Sequence, residues 1–139
     1  MLKQALTGML QGVTATVTRA HVDAVVRAYL ASFATKDQDA RAALFAEDAV
    51  ADDPVGLPAH EGKAALRAFW SPSDEGPAQF SSQLHRIVHC GNEAMVHFTV
   101  TMAMPGLGEV AIEGFETLAF DDQGKITRLR AYWDESCLT

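Results

Sequence analysis

The chain has 139 residues, 48% of them hydrophobic, and a formal charge of −7. That length suits one domain able to bury a core without disulfides, and the acidic balance argues against nucleic acid and anionic membranes, which need clustered Lys and Arg. Cys90 and Cys137 lie far apart and outside any CxxC spacing, which reads as free thiols in a reducing, cytoplasmic compartment. No window approaches the ~20 apolar residues of a membrane span, and the first residues lack the charged start and long apolar run of a secretion signal.

Residues 1–17 read as an arm. Leu2, Leu6, Met9 and Leu10 fit one face of a short helix able to pack on a partner subunit, whereas Gly8, Gly12 and the threonines favour fraying. A single domain is expected over 18–139. Thr18 is placed to cap a helix over about 19–35, whose buried stripe is Val22, Val25, Val26, Tyr29, Leu30 and Phe33. Asp37 is placed to cap a short helix over about 38–46, burying Ala40, Leu44 and Phe45. His60 and Glu61 lead into a third helix, about 61–70, with Leu66, Phe69 and Trp70 inward. Ser71 to Pro77 reads as a loop.

Between the second and third helices stands Ala49-Val50-Ala51-Asp52-Asp53-Pro54-Val55-Gly56, a short extended segment closed by a turn. Pro54 biases Asp53 away from helix, and Gly56 turns without steric cost. Asp53 is either a solvated turn residue or a carboxylate held on stiff backbone as a general base.

After Pro77 the pattern changes to β-type segments at about 79–90, 93–104, 108–120 and 125–135, separated by Gly91-Asn92, Pro105-Gly106 and Asp121 to Gly124. Helices followed by hairpin-linked strands predict an α+β fold with a strongly curved sheet around a pocket. Alternation puts Val110, Ile112, Gly114, Glu116, Leu118 and Phe120 on one face of the third segment, where Glu116 is the only ionisable group. Burial there would raise its pKa and keep it neutral, hence a hydrogen-bond donor. A strand-edge Glu reaching water, or a bulge at Gly114 that flips the register, is the plain alternative.

Tyr29, Asp53 and Glu116 together resemble the site of the steroid Δ5-3-ketoisomerase family, within the nuclear-transport-factor-2-like, SnoaL-like superfamily. The resemblance covers about residues 19–136. It rests on Tyr29 late in the first long helix, on Leu44-Phe45-Ala46-Glu47-Asp48-Ala49, on Asp53-Pro54-Val55-Gly56, on Asn92-Glu93-Ala94 with Phe98-Thr99-Val100, and on Gly124-Lys125 with Arg130-Ala131. It implies a cone-shaped fold, with three helices on a curved antiparallel or mixed sheet, and a homodimer formed through the outer sheet face. It further implies a base at Asp53 and an oxyanion hole at Tyr29 and Glu116. Two positions depart from the family: Glu116 stands where the family has a protonated aspartate, and Trp70 where it commonly has a tyrosine supporting the oxyanion tyrosine. Trp133 falls where the family places an aromatic lining residue.

The implied reaction shifts a C=C bond of an apolar, steroid-like ketone into conjugation without a cofactor or metal. Candidate walls of the apolar pocket are Val25, Phe33, Phe45, Phe69, Trp70, Phe98, Val100, Met102, Leu118, Leu129 and Trp133, each of which also suits plain core packing. The five histidines, His21, His60, His85, His89 and His97, are scattered without a ligand spacing, so no metal site is expected. Two other readings share the fold: a SnoaL-like polyketide cyclase with the same base, and a non-catalytic ligand-binding module. An epoxide hydrolase would need an Asp-Arg-Asp arrangement, and Arg86, Arg128 and Arg130 show no evident carboxylate pair in the sequence.

Overall fold

A computed structural model describes residues 1–139. The first helix, Leu2–Leu10 (α1), buries none of its residues, and Leu2, Leu6, Met9 and Leu10 are exposed. The chain joins the domain at Val17, which is in the core. Asn92 anchors that junction, its side-chain oxygen accepting from Thr16 N at 2.8 Å. Thr18 then caps Arg19–Thr35 (α2), its hydroxyl accepting from His21 N at 3.1 Å. Five residues of the predicted stripe, Val22, Val25, Val26, Tyr29 and Leu30, are buried, and the sixth, Phe33, is half-buried. Lys36 ends the helix in the left-handed region at φ 55°.

Asp37 caps Gln38–Ala42 (α3) through Ala40 N. This helix is shorter than the expected 38–46, because Phe45 already begins a strand, Phe45–Asp52 (β1). Apolar Leu44-Phe45 fits a helix face and a strand equally well. Pairing decides it: Leu44 O accepts from Ile126 N across the sheet at 2.9 Å. A two-residue strand, His60–Glu61 (β2), pairs with the end of β1.

The next helix, Lys63–Glu75 (α4), runs through Pro72 and past the expected end at residue 70. Side chains from α3 hold this last turn. Gln38 donates to Ser71 Oγ and Asp74 Oδ2, and Arg41 makes a two-pronged bond to Asp74 at 2.9 Å. Tertiary bonds thus override a loop-like Ser/Pro/Gly composition.

Three further strands match the expected segments, Gln79–Cys90 (β3), Glu93–Met104 (β4) and Gly108–Phe120 (β5), whereas the last, Ile126–Tyr132 (β6), stops short of the expected 135. The sheet order is β2-β1-β6-β5-β4-β3. Every pair is antiparallel except β1–β6, so the sheet is mixed. The β4–β5 ladder is continuous from Glu93↔Ala119 to Met104↔Gly108, so Gly114 makes no bulge and the predicted facing of β5 holds. Gly114 has a packing role instead. A Cβ there would meet Tyr132 O at 3.1 Å and Trp133 Cβ at 3.3 Å. Beyond a 3-10 turn at Glu135–Cys137, Thr139 exchanges two backbone bonds with Ala111, filling the edge that β6 leaves open.

One core of buried apolar residues lies between α2, α4 and the concave face of the sheet. The opposite face exposes Val88, Met95, Phe115 and Tyr132. No helix is long and apolar enough to cross a membrane.

Candidate active site

The filled core stops short of the mouth of the curved sheet and leaves a cavity of about 300 Å³ there. That is within the range of small-molecule sites. Twelve of its sixteen lining residues are hydrophobic, and Tyr29, Asp53 and Glu116 all open onto it. Residues separated by more than eighty positions in sequence therefore meet in one space.

Each arrives by a different route. Tyr29 comes from the inner face of α2, where its ring is edge-on to Phe33 and Phe45 at 5.1 and 5.8 Å. Asp53 follows β1 directly, ahead of a cis bond to Pro54. The turn is tied to β6 by Val55 N donating to Ala131 O at 2.9 Å. Glu116 projects from the middle of β5, flanked in register by Val96 and Ala131, and is only 3% exposed.

The polar atoms are sparsely satisfied. Trp133 Nε1 donates to Asp53 Oδ1 at 2.8 Å. Glu116 Oε1 is buried with no hydrogen-bond partner. An ionised carboxylate with a bare buried oxygen is costly, and a neutral carboxyl much less so. Burial accordingly pushes Glu116 up to about 8, with the Asp53 charge adding to the rise. Burial also raises Asp53, but the Trp133 bond and the charge of nearby His60 oppose it. Tyr29 is raised well above the ordinary phenol range by burial, then by Glu116 and Asp53, with Arg41 opposing. At neutral pH the cavity thus offers a protonated acid at Glu116 and a protonated phenol at Tyr29, beside the Asp53 carboxyl that Trp133 hydrogen-bonds.

Of the expected walls, Phe33, Phe69, Trp70, Phe98, Val100 and Trp133 line the cavity. Val25, Phe45, Leu118 and Leu129 do not; they are at most 5% exposed and belong to the core. The reason is depth. Val25 is one helical turn before Tyr29, and Leu118 follows Glu116 on the same strand face and pairs with Leu129. These side chains fill the closed end behind the polar groups, where Phe45 also packs on Trp70 at 5.3 Å. Met102 is likewise absent from the lining.

Sequence reasoning missed Leu30, Pro54, Leu57, Ser73, Phe80, Ile112 and Ala131 as lining residues. Ile112 was legible from the same alternation that singled out Glu116. Ser73 was hidden because its segment reads as a loop. Arg41 was missed as well. It is fully buried, bonded to Ser32 and Asp74, with its guanidinium 3.8 Å from the Phe33 ring centroid and 5.1 Å from that of Trp70. A compensated cation therefore backs two cavity walls. Arg128 and Arg130 do have a carboxylate partner, Asp52. None of these three lines the cavity, so no Asp-Arg-Asp set faces it.

Residues 26–129 match the model of the SnoaL-like domain family. A steroid Δ-isomerase of Nocardioides simplex is 34% identical over 114 residues, spanning 82% of this chain and 90% of that protein. The chain belongs to the ketosteroid isomerase family of SnoaL-like domains. The crystal structure of a Δ5-3-ketosteroid isomerase from a Mycobacterium species superposes with a TM-score of 0.75 at 27% identity, covering 86% of this chain and 97% of that one. SalBIII, an epoxide hydrolase/cyclase-like enzyme of pyran ring formation in salinomycin, superposes at 0.74 with 23% identity, covering 84% and 92%; at that identity it speaks to the fold alone. Trp70 packs on Phe45 and lines the cavity, and the Glu116 carboxyl is held toward its neutral form by burial.

Proposed function

We propose that this protein is a steroid Δ-isomerase that moves the C=C bond of a 3-oxo-Δ5-steroid into conjugation. The observation that carries this reading is the meeting of Tyr29, Asp53 and Glu116 on one apolar cavity, with burial holding Glu116 toward its neutral form.

Asp53 takes a proton from the carbon between the carbonyl and the double bond. That C–H pair becomes the new C=C of a dienolate, and the charge moves to the ketone oxygen. The Tyr29 hydroxyl and the neutral Glu116 carboxyl donate hydrogen bonds to that oxygen. Protonated Asp53 then returns the proton two carbons further along, giving the conjugated enone and restoring the carboxylate. Ketosteroid isomerases are the standard case of a carboxylic acid kept neutral to serve in an oxyanion hole, and the logic is carried over from them. The chemistry asks only for a base of moderate strength and pre-positioned donors.

The rigidity of the donors supports the reading. Tyr29 stands on a capped helix and Glu116 on an internal strand, so neither pays for reorganisation as charge develops. Asp53 lies just past a strand end and has one oxygen free of protein bonds, which suits a group that must reach two carbons. Burying hydrocarbon at ~25 cal/mol per Å² contributes several kcal/mol of binding, and the carbonyl bonds chiefly orient it.

The test is ultraviolet detection of enone formation from 5-androstene-3,17-dione. Turnover supports the isomerase. Tight binding of a steroidal phenol without turnover would instead favour a ligand-binding module.

A further inference from the structure

We propose that His85, His97 and Glu113 form a binding site for one divalent transition ion of the Zn²⁺ class on the outer face of the sheet. These residues read as scattered in sequence, but three adjacent strands, β3, β4 and β5, bring them together. Their ligand atoms all lie within 4.8 Å of one another.

The register explains the convergence. On β4, Val96 and Phe98 face the core, so His97 and Thr99 face outward. Thr99 pairs with Glu113 and His97 with Phe115 on β5, which puts Glu113 diagonal to His97. On β3 the ladder shifts between Leu84 and Arg86, and His85 is the extra residue. Such a bulge re-aims a side chain. Here it delivers His85 to the same outer patch, with Nε2 at 2.7 Å from Thr99 Oγ1 and the two imidazole centroids 4.6 Å apart.

The donor set fits the ion class. Two imidazoles and one carboxylate suit Zn²⁺, Cu²⁺ or Ni²⁺ and leave a fourth position for water. Ligand atoms around a tetrahedral Zn²⁺ sit about 3.4 Å apart, given bonds of about 2.0–2.1 Å. Closing from 4.8 Å takes side-chain rotation at His85 and Glu113, both exposed in the single chain. Without metal, His97 Nε2 and Glu113 Oε1 are hydrogen-bonded at 2.9 Å. The metal takes the neutral ring through Nε2, so the ring's one hydrogen sits on Nδ1 in the loaded site and any proton on Nε2 is given up to Nδ1 or to solvent. Phe115 stacks on the His97 ring at 4.7 Å and 15°, which fixes its plane. The site lies on the face opposite the cavity and is independent of the isomerase reading.

Calorimetric titration of the full chain with Zn²⁺ tests the site, with Mg²⁺ as the hard-ion control. We expect the parent chain to bind one more Zn²⁺ per chain than the His85→Ala/His97→Ala variant, so that any binding by Cys90 or Cys137 cancels. Each single histidine replacement weakens that event by more than ~100-fold, beyond the cost of losing an outer partner alone. The event disappears in mild acid, because imidazole must be neutral to ligate. Zn²⁺ binding that is unchanged in the double variant, or absent from the parent chain, overturns the proposal.

Discussion

The indole Nε1 of Trp133 donates to Oδ1 of Asp53 across 2.8 Å, and this bond counters the rise that burial imposes on the carboxyl. It favours the ionised form of the proposed base and leaves its other oxygen free of protein hydrogen bonds. A hydrogen bond to a charged group is worth about 1.5–3 kcal/mol. Trp133→Phe should therefore move the acid limb of the kcat/KM profile up by about one to two pH units. A profile with an unmoved acid limb would show that the indole only fills space.

Glu116 sets the opposite limb. Its folded pKa of about 8 predicts that kcat/KM falls as pH rises through that value, because the ionised carboxylate no longer donates and repels the oxyanion. Glu116→Gln should retain much of the activity and lose the alkaline limb, since an amide still donates. Tyr29→Phe should cost more, within the ~100- to 1,000-fold range of single oxyanion donors. Equal tolerance of both replacements would leave no oxyanion hole.

The same burial makes folding stability depend on pH. Glu116 takes a proton near 8 when folded and near 4.5 when free. Between those values the unfolded chain has released a proton that the folded chain keeps, so rising pH favours unfolding by about 1.4 kcal/mol per unit. The contribution is complete below 4.5 and lost on passing 8. Asp53, also raised, acts in the same direction. Urea midpoints should fall from pH 5 to 8 in the parent protein and fall less in Glu116→Gln. Parallel curves would mean that Glu116 is ionised in the folded state.

Asp74 is the sole carboxylate partner of a fully buried guanidinium. Asp74→Asn leaves the Arg41 charge uncompensated, and breaking a buried pair from one side costs about 3–5 kcal/mol. Because Arg41 packs on Phe33 and Trp70, steroid affinity should fall with stability. Chemical denaturation and ligand titration on one preparation check both.

Local signals were legible where one physical rule decided the outcome. Thr18 and Asp37 cap as their side-chain chemistry predicts, and strict alternation along β5 located Glu116 inside. Misreadings arose where distant contacts decide. The strand at Phe45 depends on pairing with Ile126, and the helical turn at Pro72 depends on bonds from Gln38 and Arg41. The position of the cavity floor was illegible for a similar reason. Val25 and Leu118 share periodicity with true lining residues, and only depth in the fold separates them. The pairing of His85 with His97 depends on a one-residue register shift with no sequence signature.

The most direct measurement is turnover of 5-androstene-3,17-dione by Asp53→Asn, followed by absorbance of the enone, with circular dichroism matched to the parent protein. Loss of a positioned general base predicts a drop of at least ~100-fold with the fold intact. Undiminished turnover in that variant would contradict the assignment of Asp53 as the group that carries the proton.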